Sequence, residues 1–499
     1  MKHKVLEVLK TFSNDEIKQF NLFLKSPYCN ESKRVLKLYN SLIQFYPNFN
    51  SNFLTDQNIS KIISPSLVYN SSTMKVIFSK LLKAAETFLM FTNIQGKKLE
   101  ANDFLRSELF KRKLFNLVEF NIRNSEKELE SHKEINAYYY LSKFKLATDK
   151  SNLNYIEKPQ HSKESIHSDI NILTERGKYL IYFFVTEIIK EYDNLITLHN
   201  KFSSDSDSNI IFDFFEEVDF SKIVNFLIQN PNNKKYSGIF KTYMALLNAF
   251  KNLGKEEYYF EYKKQLLKNG NILNMDEKRY HFNRLMKYCI LKRKFNTSAT
   301  NFDIELFDIY NYILKNEFYK STVSDYIPTE LFRNILLLGL ILKKYKWTVH
   351  FIKKYHKLLN PKRMKNMYNY SLAEYYFRRK MYKDAKFYFH KVLLEDFIFK
   401  MDLRNLMLIS YFELKNYESA LSLIDSYNHF LSNDETLSIS QKKIYKSFVN
   451  IVHRLILYKT SPSKTFDYKL EIGLKENFPH KEWVNEKIIE MAIKFRKVV

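Results

Sequence analysis

The sequence predicts an all-α protein, a superhelical array of antiparallel helical hairpins with an N-terminal helical cap. Three observations carry this. Trp347, Tyr382 and Tyr417 are 35 residues apart, as are Leu337, Leu372 and Met407, and Ile341, Tyr376 and Tyr411; such a period in an apolar, helix-forming background marks stacked helical hairpins. Only 7 Gly and 9 Pro punctuate 499 residues, too few for the turns of an all-β chain or for the glycine-rich loops of nucleotide-binding α/β folds. Apolar residues make up 45% and aromatic residues 16%, ample material for a core, which excludes general disorder.

In chain order, residues 1–95 read as an N-terminal helical domain. Ser13 and Glu16 form a capping box before the face Ile17, Phe20, Phe23 and Leu24, and the helix stops at Lys-Ser-Pro-Tyr. Further helices are expected over 32–45, closed by Pro47, and over 73–91. As a capping bundle, this region would shield the first hairpin of the array. Residues 96–202 read as helical hairpins with a polar loop near 150–169 around Pro159, and a helix over 179–202 with the face Leu180, Phe183, Phe184, Ile188, Leu195 and Leu198. Residues 210–320 read as degenerate helical repeats. A hairpin over 240–253 and 256–267 hinges at Gly254 in a left-handed conformation, and a second pair covers 277–293 and 302–316. Residues 321–457 carry the clear period, and 458–499 close the chain with capping helices.

The last two copies read Leu372, Ala373, Tyr376, Ala385, Phe389, Val392 and Met407, Leu408, Tyr411, Ala420, Ile424, Tyr427. Over residues 331–430 this resembles the tetratricopeptide repeat, in which small and large positions of helix A meet an alanine and two apolar positions of helix B. Ordinary helical hairpins that share a period are the alternative. In the first copy His350 stands where the alanine falls, and Phe397 replaces the usual repeat-end proline. The resemblance implies a binding scaffold with a concave face. The carboxylate-clamp residues of that family do not carry over: Tyr370, Ser371 and Glu374, then Asn405, Leu406 and Ile409, stand at the inward positions, and Glu374 would repel a carboxylate. The run beginning at Phe12 is also similar to the first helices of death-fold domains and to the start of helical proteins from Bacteroidetes, a likeness that implies no activity.

The net charge of +25 is dominated by lysine in a chain rich in Asn, Ile, Phe and Tyr, as an A+T-rich genome would produce. Its distribution is more telling. Residues 343–391 hold 15 Lys/Arg against Glu374 and Asp384, a net +13, the footprint expected for an anionic partner. Lys343, Lys344, Lys346, Arg378, Arg379 and Lys380 fall at predicted helix ends, where cations offset the helix dipole. Lys353, Lys354, Lys357, Lys362, Arg363 and Lys365 have no such role and are the candidate partner-binding residues. An acidic protein or peptide is the expected partner of this non-catalytic scaffold. The alternative is a regulator gripping a nucleic-acid backbone through the same segment, with Tyr345, Trp347, Tyr355, Tyr368 and Tyr370 stacking on bases.

No cofactor, metal or catalytic residue is expected. Cys29 and Cys289 make no zinc pattern. Asp205, Asp207, Asn209 and Glu216 imitate calcium-loop spacing, but Ile210 takes the place of the required glycine, so these residues read as helix N-capping. His161 and His167 lack neighbours at ligand spacing. With no signal-peptide pattern and no apolar run near ~20 residues, the expectation is a cytoplasmic protein without a membrane span.

Overall fold

The computed structural model describes residues 3–29, 33–65, 68–131, 135–157, 163–202, 209–293, 300–321, 324–393, 399–435, 437–460 and 478–496. These are helical throughout, with no strand among them. The chain divides into two compact units, Met1–Asp205 and Ser206–Val499.

The first unit opens with α1 (Lys4–Leu9), α2 (Asn14–Lys25), α3 (Lys33–Ile43), α4 (Asp56–Ile63) and α5 (Ser71–Gln95). The Ser13 hydroxyl accepts from the Glu16 amide while the Glu16 carboxylate accepts from the Ser13 amide, so the predicted capping box starts α2. Thr55 and Asn70 cap α4 and α5 by accepting from the Asn58 and Thr73 amides. The apolar faces converge on Phe20, Leu38, Leu42, Leu81 and Phe88. Tyr39 and Tyr46 donate to the backbone carbonyls of Ile17 and Phe12 at 2.8 and 2.6 Å, satisfying their hydroxyls within this core.

Four further helices follow: α6 (Lys98–Lys111), α7 (Phe115–Ser131), α8 (Ala137–Glu157) and α9 (Lys163–Phe202), each packed on the next. The loop expected near 150–169 is largely helix. Only 158–162, with Pro159 and His161, lie outside the described residues. Polar side chains of this run tie two helices together instead, with Asn154 donating to Ser168 and Asp169 at 3.1 and 3.2 Å. The face predicted on α9 is also rotated. Tyr179, Tyr182, Val185, Thr186 and Ile189 are buried, whereas Leu180 is 48% and Phe184 41% exposed; Leu198 lies outside the described side chains. Helical spacing identified a stripe, but α9 is apolar on two sides and the neighbouring helix covers the tyrosine-lined one.

The second unit contains α10 (Ile210–Glu217), α11 (Phe220–Gln229), α12 (Ser237–Lys251), α13 (Glu256–Asn269), α14 (Met275–Lys292), α15 (Phe302–Lys315), α16 (Thr329–Ile341), α17 (Tyr345–Tyr355), α18 (Pro361–Arg378), α19 (Tyr382–Phe389), α20 (Lys400–Glu413), α21 (Tyr417–Asn433), α22 (Ile439–Thr460) and α23 (Lys481–Arg496). Within it α12 pairs with α13, α14 with α15, α16 with α17, α18 with α19, and α20 with α21. In addition α16, α18, α20 and α22 pack successively on one another. Asn209, not an acid, caps α10 by accepting from the Ile211 amide.

Gly254 does not adopt the left-handed conformation expected of it; lysines do so elsewhere. Lys343, Lys380 and Lys415 sit at φ 56°, 58° and 57°. In each case the next amide reaches back to the carbonyl five residues earlier: Lys344 to Gly339 and Asn416 to Tyr411 at 2.9 Å, and Met381 to Tyr376 at 2.9 Å. This is the Schellman pattern, which satisfies the last carbonyls of a helix and turns the chain sharply. Lys113 at φ 57° makes the same turn between α6 and α7. A left-handed L-residue costs ~1–2 kcal/mol that glycine avoids, part of which glycine loses through unfolded-state entropy. Lys343→Gly and Lys415→Gly are therefore expected to raise stability by about 0.5–1 kcal/mol each in chemical denaturation. A loss in both would contradict this turn geometry.

The turns also depart from the predicted 35-residue spacing. Lys343 and Lys380 are 37 residues apart, Lys380 and Lys415 are 35. Tyr345, not Trp347, therefore heads its helix as Tyr382 and Tyr417 head theirs. Thr348 takes the position of Ala385 and Ala420, and all three are fully buried, while His350 is exposed. At this crossing Gly339 replaces the tyrosines at 376 and 411, because a Cβ there would lie 2.7 Å from the Thr348 hydroxyl oxygen. Leu372, Ala373, Phe389 and Tyr411 are buried, with Tyr376 half-buried. Ala385→Leu is expected to cost ~1–3 kcal/mol by overpacking the α18–α19 crossing; an unchanged melting temperature would show that the crossing tolerates bulk.

Candidate binding surface of the C-terminal hairpins

The six candidate cations come together at one edge, the connection from α17 to α18. Lys353 and Lys354 lie in the last turn of α17, Lys357 in the short 3-10 turn that follows, and Lys362, Arg363 and Lys365 in the first turns of α18. All six are exposed. The fold holds this edge firmly. The Ile327 amide donates to the Leu358 carbonyl at 2.9 Å, Leu359 is fully buried, and Pro361 starts α18 behind the Asn360 cap.

Electrostatics sharpen the charge. Among the described residues, no carboxylate lies within ion-pair distance, 4.0 Å, of any of the six. Elsewhere in 343–391 several cations are engaged, Arg378 with Glu374 at 3.8 Å, Lys380 with Glu486 at 3.2 Å and Lys391 over the Phe387 ring at 3.7 Å, while of the six Lys354 lies over the Tyr355 ring at 5.1 Å and Arg363 reaches the Thr329 hydroxyl at 3.5 Å. Lys362, Arg363 and Lys365 stand where the helix dipole is positive, so their own helix opposes them, unlike cations at a helix C-terminus. Of the two acids in the segment, Glu374 is 3% exposed and accepts from the Tyr370 hydroxyl at 3.0 Å. Burial pushes its carboxyl pKa upward. It subtracts little from the surface charge.

Of the remaining predicted features, Tyr355 lies at this edge, in the last turn of α17. Tyr370, Ser371, Glu374, Asn405, Leu406 and Ile409, expected to face inward, are all buried. Helix neighbours cover them; the Tyr427 hydroxyl, for example, donates to Asn405 at 2.9 Å. The aromatic residues are also occupied. Trp347 stacks on Phe351 at 5.3 Å, Tyr355 on Phe351 at 5.4 Å, and Tyr368 lies 4.5 Å from the His356 ring. Tyr345 meets Tyr375 edge-on and Tyr370 is buried beside Phe399.

Sequence reasoning missed one set of polar anchors here. The Trp483 indole donates to Glu413 at 2.7 Å, and Lys487 pairs with Glu413 and Glu490 at 3.0 Å, fixing α23 to the end of α20. Trp483 and Lys487 lie 70 and 74 residues from Glu413, on a different helix, which leaves no local spacing to read. Among the described residues no group of His, Cys, Asp and Glu could hold a metal, and no helix is long and apolar enough to cross a membrane. His167 is exposed, Asp205 and Asp207 lie outside the described residues, and the Cys289 thiol is buried and pushed up to about 12 by that burial. In comparisons with known proteins, no family model, curated protein or solved structure matches this chain.

Proposed function

We propose that residues 321–457 form a tetratricopeptide-like superhelical array and that the chain is a non-catalytic scaffold binding an acidic protein segment. The successive packing of α16, α18, α20 and α22, with the recurring lysine turn, supports the array. The single observation carrying the partner's charge is the edge of six exposed cations at 353–365 with no carboxylate neighbour among the described residues. Complementary charge sets orientation and association rate in such contacts. The edge supports this reading better than a concave face, because the inward residues of α18 and α20 are buried.

A nucleic-acid partner would use the same cations, but the aromatics it needs for base stacking are held in ring contacts of their own. The test is capture from native lysate on the full chain, beside a variant carrying Lys353→Glu, Lys354→Glu and Lys357→Glu. A protein with an acidic segment, lost on the triple reversal, is the expected result. Recovery of nucleic acid instead, lost on the same reversal, would overturn it.

A further inference from the structure

Helix α9 carries a second apolar face that the first unit leaves open. Ile166, Ile170, Leu173 and Leu180 are 51%, 55%, 52% and 48% exposed, Ile181 is 45% exposed, and Gly177 lies among them. Positions 166, 170, 173, 177 and 180 follow a 4-3-4-3 spacing, the seam by which one helix packs along another. The face runs opposite the buried stripe of Tyr179, Tyr182, Val185 and Ile189, so it does not belong to the unit's own core. Exposed apolar strips of this continuity mark contact sites.

Gly177 is the independent clue. Glycine is the poorest helix former apart from proline, yet it stands inside a 40-residue helix. No internal contact requires it, since a Cβ at 177 would meet nothing within 4 Å. A small residue at the centre of an open apolar seam fits a backbone approaching from outside.

We infer that α9 is a dimerisation helix, crossing the same helix of a second copy at Gly177. Leu173 and Ile181 are mirror positions about that residue, each four away, so an antiparallel two-fold pair sets glycine on glycine and each Leu173 against the second copy's Ile181. Isologous interfaces require such self-complementarity; an unlike partner does not. With about half of each of these five residues exposed, roughly 100 Å² apiece, covering all of them in both copies buries about 1,000 Å², the lower bound for specific association.

The test is sedimentation equilibrium of the full chain up to about 100 µM. A dimer is expected, and Leu173→Glu with Ile181→Glu should make it monomeric with unchanged helical circular dichroism. Gly177→Leu, a better helix former, should weaken the dimer at least tenfold through the crossing alone. With Cys29→Ser and Cys289→Ser, Gly177→Cys should form an intermolecular disulfide. A monomer at the highest concentration, or a dimer surviving the double glutamate change, overturns the proposal. Exchange protection of residues 166–181 in a monomer would overturn it equally, by showing another occupant.

Discussion

Replacing Arg106 by leucine is expected to destabilise the first unit by about 3 kcal/mol. Its side chain is 1% exposed and joins three helices. Nε donates to Asp149 at 2.7 Å, Nη1 donates to Asn121 and Ser125 at 2.9 and 3.1 Å, and Asp103 completes the pairing. Burial raises the Asp149 carboxyl while Arg106 opposes that shift, so removing the guanidinium leaves an acid that must protonate or be hydrated. Its side chain and that of Asp103 are 25% and 28% exposed, and water relieves some of the penalty, which places the effect at the low end of ~3–5 kcal/mol for breaking a buried pair. Adding Asp149→Leu should restore part of the loss. Chemical denaturation showing less than ~1 kcal/mol would mean that the network is solvated and weak.

The second large effect is a pH dependence in the second unit. His480 is enclosed between the rings of Phe377 and Phe448, with centroids at 6.2 and 5.9 Å. Burial first, and Arg378 second, push its imidazole down to about 4. The unfolded chain binds its proton near pH ~6.5, so the unfolded state holds more protons between those values. The contribution of this residue to stability is present above pH ~6.5 and falls by on the order of 3 kcal/mol as pH drops toward 4. Glu374 acts oppositely, since its raised folded pKa stabilises the protonated form in acid. His480→Asn, a residue that tolerates the local φ of 56°, should flatten the decline. A variant with the parent pH profile would show that His480 titrates normally.

Much of the helical layout was legible because its signals are local. The Ser13–Glu16 box, the alanines at 385 and 420 and the stripes of 240–253 and 256–267 each lie within one turn or one helix, and the structure places them as expected. Features that depend on a partner helix were not. The spacing on α9 could not say which of two apolar faces is covered, and the polar run 150–169 hid two helices whose Asn154, Ser168 and Asp169 bond across them. The left-handed turn residues were misread because lysine, not glycine, holds them. Leu340, Phe377 and Phe412 three residues before each such lysine, and the tyrosine two after it, form the signal that could have found them. The basic edge was legible as a cluster of charge in one short stretch, and its residues lie at the connection from α17 to α18, at the other end of those helices from the lysine turns.

The most direct test of the scaffold reading is fluorescence anisotropy of a labelled polyglutamate peptide titrated with the full chain, beside a labelled single-stranded oligonucleotide of equal charge. The account predicts that the peptide binds, that affinity falls with salt, and that Lys353→Glu, Lys354→Glu and Lys357→Glu together abolish binding without altering the melting temperature. Peptide binding that survives the triple reversal, or binding of the oligonucleotide alone with a loss of ~10³-fold or more between ~50 and ~200 mM salt, would contradict it.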